Sequence, residues 1–450
     1  MTEKSVVVIV SDLHMGGGET DLGDDHVFQG GQLKGFIEEQ AATQEGSKGE
    51  IELYINGDFL EFAQVAPHVY QLGSADFWCS EGESLLKLDQ IIAGHAETFA
   101  AFKKFQANGN RVTIAAGNHD VDFYWPGVQQ AFRKVAGDVS FELGEEWYER
   151  FDGKLRIAHG HMIDPANKFY HWDDPILDGP DQKRLEMCPG TLFMVKFVNW
   201  LEERYRFADN LKPVLALRHI LMRESRFGLM AAGWVLTQFL ARHPRTALGT
   251  AKLDSPKVGQ KIREQLEIDN KFADDVARIY RVVRNDPAAT AATVRTALKT
   301  EKDVYDFLYE MMPVVSPDDW LPVFDAIGGS TLALGGKATT LAIAKGNGVD
   351  KHFLRGVAKN EFDKSGSAQV VVLGHTHQPD EMHYANGTSY FNPGSWTRYI
   401  EYDADHPLTL EDLKREEDFP YELNYIRVAK NSGNVEAKMF CFEKAPGDRF

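Results

Sequence analysis

Short apolar runs recur along the chain, and five of them break off into polar residues of the same few kinds. Val6-Val7-Val8-Ile9-Val10 runs into Ser11-Asp12-Leu13-His14. Ile51-Glu52-Leu53-Tyr54-Ile55 leads to Asn56-Gly57-Asp58, and Arg111-Val112-Thr113-Ile114-Ala115-Ala116 to Gly117-Asn118-His119-Asp120. Leu155-Arg156-Ile157-Ala158 ends at His159-Gly160-His161, and Val370-Val371-Val372-Leu373 at Gly374-His375-Thr376-His377. Short β-branched runs bounded by glycine or polar residues predict buried strands. In α/β sheets, sites form where the carboxyl ends of strands meet their loops. Five junctions with Asp, Asn and His at the same relative place describe a single metal centre.

Elsewhere the period changes. Residues 83–106 space Leu85, Leu88, Ile91, Ile92, Phe99, Phe102 and Phe105 at helical intervals, and Asn108-Gly109-Asn110 stops that helix. Strand chemistry returns in Ser389-Tyr390-Phe391. Near the end, Tyr425-Ile426-Arg427-Val428 and Ala437-Lys438-Met439-Phe440 flank Asn431-Ser432-Gly433-Asn434, the pattern of a hairpin. Between residues 165 and 350 strand signals nearly vanish, and helical stretches are expected over 192–207, 214–240, 258–283 and 304–312. The organisation expected is an α/β core made of residues 1–164 and 351–450, with residues 165–350 as a helical insertion that caps it.

Composition narrows the class. The chain has 450 residues, 43 % hydrophobic and 26 % charged, an ordinary globular balance for one large domain with an insertion, or two domains. Three cysteines (Cys79, Cys188, Cys441), far apart and without a CxxC, argue against a disulfide framework and for a reducing compartment. The first apolar run is shorter than a secretory signal needs and carries the first two candidate ligands, so a cytoplasmic protein is expected. A net charge of −18 disfavours duplex nucleic acid as a partner. It does not exclude a phosphate-bearing substrate, because bound cations can dominate the local field.

Residues 213–241 stand apart. Positions 227–240 are uncharged and mostly apolar, too short to span a bilayer. Residues 201–250 hold eight Lys/Arg against four Asp/Glu. The stretch reads either as a buried cap helix with solvated arginines, or as an apolar, basic-rimmed surface for peripheral membrane or lipid contact or for a subunit. The sequence carries no sign of an oligomeric state.

The candidate ligands are Asp12 and His14 from the first junction, Asp58 from the second, Asn118 from the third, His159 from the fourth, and His375 with His377 from the fifth. Asp12 and His14, like His375 and His377, are two residues apart, which on extended backbone places both side chains on one side. Imidazole, carboxylate and amide oxygen together suit Mn²⁺, Fe or Zn²⁺ better than Mg²⁺ or Ca²⁺. Without a thiolate, a structural zinc knot is not expected.

Asp12-x-His14, Gly57-Asp58-x-x-Glu61, Gly117-Asn118-His119-Asp120, His159-Gly160-His161 and Gly374-His375-x-His377 resemble, in order, the motifs of the calcineurin-like metallophosphoesterases. Asn392-Pro393-Gly394-Ser395 is similar to a segment that often closes that core. The resemblance covers about residues 1–164 and 351–400 and implies a two-sheet α/β/β/α sandwich. It also implies two divalent metal ions: Asp12, His14 and His377 would hold one, Asn118, His159 and His375 the other, and Asp58 would bridge. His119 would sit over the substrate phosphate as a proton or hydrogen-bond donor, with Asp120 orienting its imidazole. His161 would be an outer residue. Glu61 reads either as a solvent-facing residue at a helix start or as one that shapes the site.

The activity this implies is hydrolysis of a phosphoric ester by water activated between two metals. The substrate expected is a phosphodiester or a nucleotide- or lipid-linked diphosphate. A phosphomonoesterase or protein phosphatase, and a non-catalytic metal-bound scaffold that binds partners through the insertion, are the alternatives. Gly16-Gly17-Gly18 lacks the lysine of a P-loop and reads as a flexible loop near the site. The polar and aromatic segment 164–174 reads as a substrate contact or as a linker packing Trp172 on the core.

Overall fold

The computed structural model describes residues 4–18, 25, 31–67, 77–164, 166–202, 205–212, 220, 263–264, 266–268, 270–300, 303–304, 307, 351–401, 407–431 and 433–445. Two β-sheets lie face to face at its centre. The first is built on β1 (Val6–Val10), β2 (Ile51–Asn56), β3 (Arg111–Ala115) and β4 (Ser140–Glu142), which run parallel in that order. The second contains β5 (Tyr148–Arg150), β6 (Leu155–Ile157), β10 (Val370–Val372), β11 (Asp380–His383) and β12 (Ser389–Asn392), with β6, β10 and β12 parallel and the other two antiparallel at its edges. The terminal hairpin, β14 (Tyr421–Asn431) and β15 (Asn434–Ala445), extends the first sheet beside β1.

The alternation of side chains along each strand sorts the apolar residues into layers. Val6, Val8 and Val10 face helices Gln32–Ala42 and Ala96–Ala107, joining a cluster with Phe36, Phe99, Phe102 and Phe105. Val7 and Ile9 point the other way, into a cluster between the sheets with Leu155, Ile157, Val370, Val372 and Phe391. Val371 and Leu373 pack with Leu354 and Ala358 of helix Lys351–Ser365. Helix, sheet, sheet and helix are the four layers of an α/β/β/α sandwich. A strand buried on both faces needs an unbroken apolar run, which is what β1 and β10 carry.

One charged group interrupts the layer between the sheets. Glu52 of β2 is fully buried and accepts from Thr113 Oγ1 (2.6 Å) and from Nε and Nη2 of Arg150 (2.9 and 2.8 Å), which reaches across from the second sheet. Burial opposes the charge on Glu52, but the Arg150 guanidinium, Thr113 and Arg111 together hold its pKa below the usual carboxylate value. Arg150→Met strands that carboxylate and is expected to lower stability by about 3–5 kcal/mol at neutral pH. Because the native pKa is depressed, the stabilisation is complete above the unfolded value of about 4.5 and is lost as pH falls through the native one. Urea unfolding from pH 7 downward checks both: the gap between wild type and variant should be wide at pH 7 and shrink as the pH falls below about 4.5.

Several expectations need correction. The helix expected over 83–106 is two, Glu81–Gly94 and Ala96–Ala107, broken at His95. His95 turns its Nε2 to within 3.0 Å of Asp25, and Gly94 comes so close to Gly17 and Gly18 that a Cβ there would clash. The Gly16–Gly18 loop, read as flexible, is held by Asp25, which accepts from the N–H groups of Gly16 (2.9 Å) and Gly18. Strands also occur where they were not expected. β7 (Ile176–Asp178) and β8 (Lys183–Leu185) form a short hairpin, and β9 (Leu211–Lys212) pairs with β13 (Ile400–Glu401). Strands this short and polar carry no readable alternation. In the expected insertion, Pro189–Phe193, Asn199–Glu202, Asn270–Val283 and Ala291–Ala297 are α-helical. Residues 227–240, and all of 213–241 except Ile220, lie outside the described residues.

Candidate metal centre

The carboxyl ends of β1, β2 and β3 in one sheet face those of β6 and β10 in the other, so five loops converge on one point. Their backbone is unusual. Asp12, His14, Asp58, His375 and His377 all take left-handed conformations, with φ of 53°, 50°, 49°, 70° and 57°. Non-glycine residues rarely adopt this region, and strain of this kind collects at functional sites. The expectation that Asp12 and His14 converge because the chain is extended is therefore wrong. Alternating left-handed residues aim both side chains inward, as they do for His375 and His377. The loops are locked together by main-chain bonds: Asp12 N to Gly57 O (3.1 Å), His14 N to Asp58 O (2.9 Å) and Gly374 N to His159 O (2.9 Å).

Three groups of donors result among the described residues: two share Asp58, and the third is His14, Glu61 and His119. In the first, donor atoms of Asp12, His14, Asp58 and His377 lie within 4.8 Å of one another; in the second, those of Asp58, His159 and His375 do. His14 Nε2 lies 3.0 Å from His377 Nε2 and 3.8 Å from Asp58 Oδ2, while His377 Nε2 is 3.3 Å from Asp12 Oδ1. His159 Nε2 is 3.1 Å from Asp58 Oδ2 but is not aligned for a hydrogen bond. Asn118 is buried, and its Oδ1 has no hydrogen-bond partner among the described residues. Buried acceptors and imidazole nitrogens crowded without donors fit cations.

The far side of each ring is also engaged. His14 Nδ1 meets Glu61 Oε2 (2.8 Å) and His159 Nδ1 meets the carbonyl of Asn56 (2.8 Å), fixing which nitrogen faces inward. Charges follow the same plan. Burial works against the carboxylate of Asp58, yet the imidazoles of His159, His119 and His14 hold its pKa well below the usual range. Burial likewise lowers His159, but Asp58 and Asp12 outweigh it and lift the ring to about 9. The cluster thus attracts positive charge, and a divalent ion would take the place of those protons.

His119 stands at the open side. Its main-chain N–H donates to Asp58 Oδ1 (2.9 Å), and its ring, 4.7 Å from that of His14, is 15 % exposed. Glu61 Oε2 lies 2.6 Å from His119 Nδ1. Burial alone would depress this imidazole, but Glu61 and Asp58 raise its pKa to about 10.

Comparison with known proteins bears on this geometry. Residues 328–411 match the calcineurin-like phosphoesterase superfamily domain. The matched stretch includes His375, His377 and Asn392; Asp12, His14, Asp58, Asn118 and His159 lie outside it and join the site through the fold. A solved structure, wild-type Vps29 complexed with zinc from Entamoeba histolytica, is similar at 21 % identity over 22 % of this chain. That match spans about half (49 %) of the Vps29 chain, and its TM-score of 0.10 carries no argument. No curated protein matches.

Within this centre, Asp120 is not where it was expected. Its carboxylate accepts from the main-chain N–H groups of Phe59 (2.7 Å), Leu60 (3.4 Å) and Gly117 (2.6 Å), tying the β2 loop to the β3 loop. Burial and the neighbouring Asp58 lift it to about 7, against the pull of those hydrogen bonds. Glu61, not Asp120, is the carboxylate at the imidazole of His119. Its place in Gly57-Asp58-x-x-Glu61 was the available signal. His161 packs its ring edge on Trp172 at 4.3 Å, and burial and neighbouring imidazoles hold it well below the usual histidine value, so it stays neutral. Trp172, from the segment after the fourth motif, is buried core.

Proposed function

We propose that this protein is a metal-dependent hydrolase of phosphoric esters. The observation that carries the reading is the pair of donor groups joined through Asp58, with the His119 imidazole beside them against Glu61 and His14. Asp12, His14, Asp58 and His377 would hold one divalent ion, and Asp58, Asn118, His159 and His375 the other, with Mn²⁺ or Fe suited to the donors and Zn²⁺ also compatible. Bound there, two cations supply a fixed cradle for a phosphate oxygen and a water acidified toward neutrality.

The chain does the rest. Glu61 Oε2 stands against His119 Nδ1, which would leave Nε2 to face the substrate, where it would donate a proton or hydrogen bond to the departing oxygen. Asp120 keeps the β2 and β3 loops in register, so that His119 and Asp58 move as one unit. A phosphodiester, or a nucleotide- or lipid-linked diphosphate, is the substrate class we favour, on the apolar, basic-rimmed sequence of residues 213–241. Three unpaired cysteines accord with a cytoplasmic setting. Among the described residues no helix is long and apolar enough to cross a membrane.

Turnover of a mono- and a diester of p-nitrophenol, with added Mn²⁺ and after chelation, tests the reading. Chelator-sensitive hydrolysis, faster on the diester, is expected. Metal-loaded protein that cleaves neither ester would return the scaffold alternative.

A further inference from the structure

His14 and His159 each have an acceptor behind the ring. His375 has one too, and it comes from an element that no sequence motif singled out. Asp164 Oδ2 lies 3.0 Å from His375 Nε2. Asn167 grips the same oxygen through its Nδ2 (2.9 Å), and the N–H of Ala166 holds the other carboxylate oxygen (2.9 Å). Asn167 also faces Asn118: its Oδ1 is 3.4 Å from Asn118 Nδ2. That contact occupies the amide nitrogen of Asn118 and leaves its buried Oδ1, which lacks a partner among the described residues, as the atom for a cation.

We propose that Asp164 and Asn167 are positioning residues for the second metal half-site, a clip that sets His375 and Asn118 together. The inference rests on the two-metal reading of the site. A proton on His375 Nε2 directed at Asp164 Oδ2 fixes the ring and leaves the Nδ1 lone pair as the ligand. Asn167 fixes the amide of Asn118 by the same logic, as a donor's partner rather than as a ligand. Neither residue touches the half-site of Asp12, His14 and His377.

The clip is itself braced by the segment that follows it. Gly190, in helix Pro189–Phe193, donates its N–H to Ala166 O (2.7 Å), and a Cβ at Gly190 would fall 1.9 Å from Asn167 Oδ1. Only the end of a side chain would have to move, so Gly190→Ala should displace Asn167 and spare the fold. The geometry of the second half-site therefore depends on where the chain enters the expected insertion.

Titration of the full chain with Mn²⁺, followed by calorimetry and by the electron paramagnetic resonance signal of a coupled metal pair, tests this. Wild type should show two binding steps and the coupled signal. Asp164→Ala should weaken one step by about 10–100-fold, the usual cost of an outer partner, and leave the other unchanged. Asp164→Asn, whose amide oxygen still accepts from Nε2–H, should recover part of that loss, and Gly190→Ala should weaken the same step. If Asp164→Ala keeps both steps unchanged, or tightens one, the clip is not a positioning device and the proposal falls. If wild type itself takes up no Mn²⁺, the two-metal reading falls first, and the proposal with it.

Discussion

Asp58→Asn is expected to lose both metal ions together, and turnover with them. Asp58 is the one carboxylate in both donor groups, with Oδ2 3.1 Å from His159 Nε2 and 3.8 Å from His14 Nε2. An amide removes the negative charge that draws cations to the centre and points an N–H₂ group at one of them. Because Asp58 belongs to the ligand set, its loss should exceed the 10–100-fold drop in affinity that removing an outer partner costs, and we expect more than about 100-fold. Calorimetric titration with Mn²⁺ measures it. Retention of one ion at wild-type affinity would show that Asp58 serves a single site.

His119→Ala should separate rate from binding. The ring lies beside both donor groups, yet its Nδ1 faces Glu61 and its edge faces His14, so the two ions should remain. The rate should fall by about 10²–10⁴-fold, the usual contribution of a positioned general acid or base. Metal content and hydrolysis of an ester with a poor leaving group are the paired readouts, since a poor leaving group depends most on a proton donor. Release of metal by this variant would make His119 a ligand and overturn its assigned role.

The core of the fold was legible because its strands are buried on both faces. Val6–Val10 and Val370–Val372 cannot be mistaken for anything solvent-exposed, and the candidate ligands follow each run directly. Spacing along the chain could name the donors, but the physical cause it suggested for their convergence was wrong. Left-handed φ at Asp12, His14, Asp58, His375 and His377 leaves only a weak sequence signature, because Asp and His enter that region more often than most residues but still uncommonly.

Roles carried by long-range hydrogen bonds were less legible. Asp120 sits next to His119 in sequence, which suggested that it orients the ring; Glu61, 58 positions earlier, reaches it through the fold. Asp164 and Asn167 lie in a stretch whose polar and aromatic character is plain, but nothing local shows that both face His375. The short strands of the 176–185 hairpin escaped for a different reason. Their second strand also bonds a distant segment, through Trp78 N to Leu185 O and Leu185 N to Cys79 O, which no local pattern shows.

One centre, assembled from both sheets, would bind two divalent ions through a shared carboxylate. Metal content per chain, measured on purified protein after loading with Mn²⁺ and again after chelation, decides this. Two ions per chain are expected on loading and none after the chelator, with wild-type content regained on reloading. A chain that takes up no ion at any supply would contradict it.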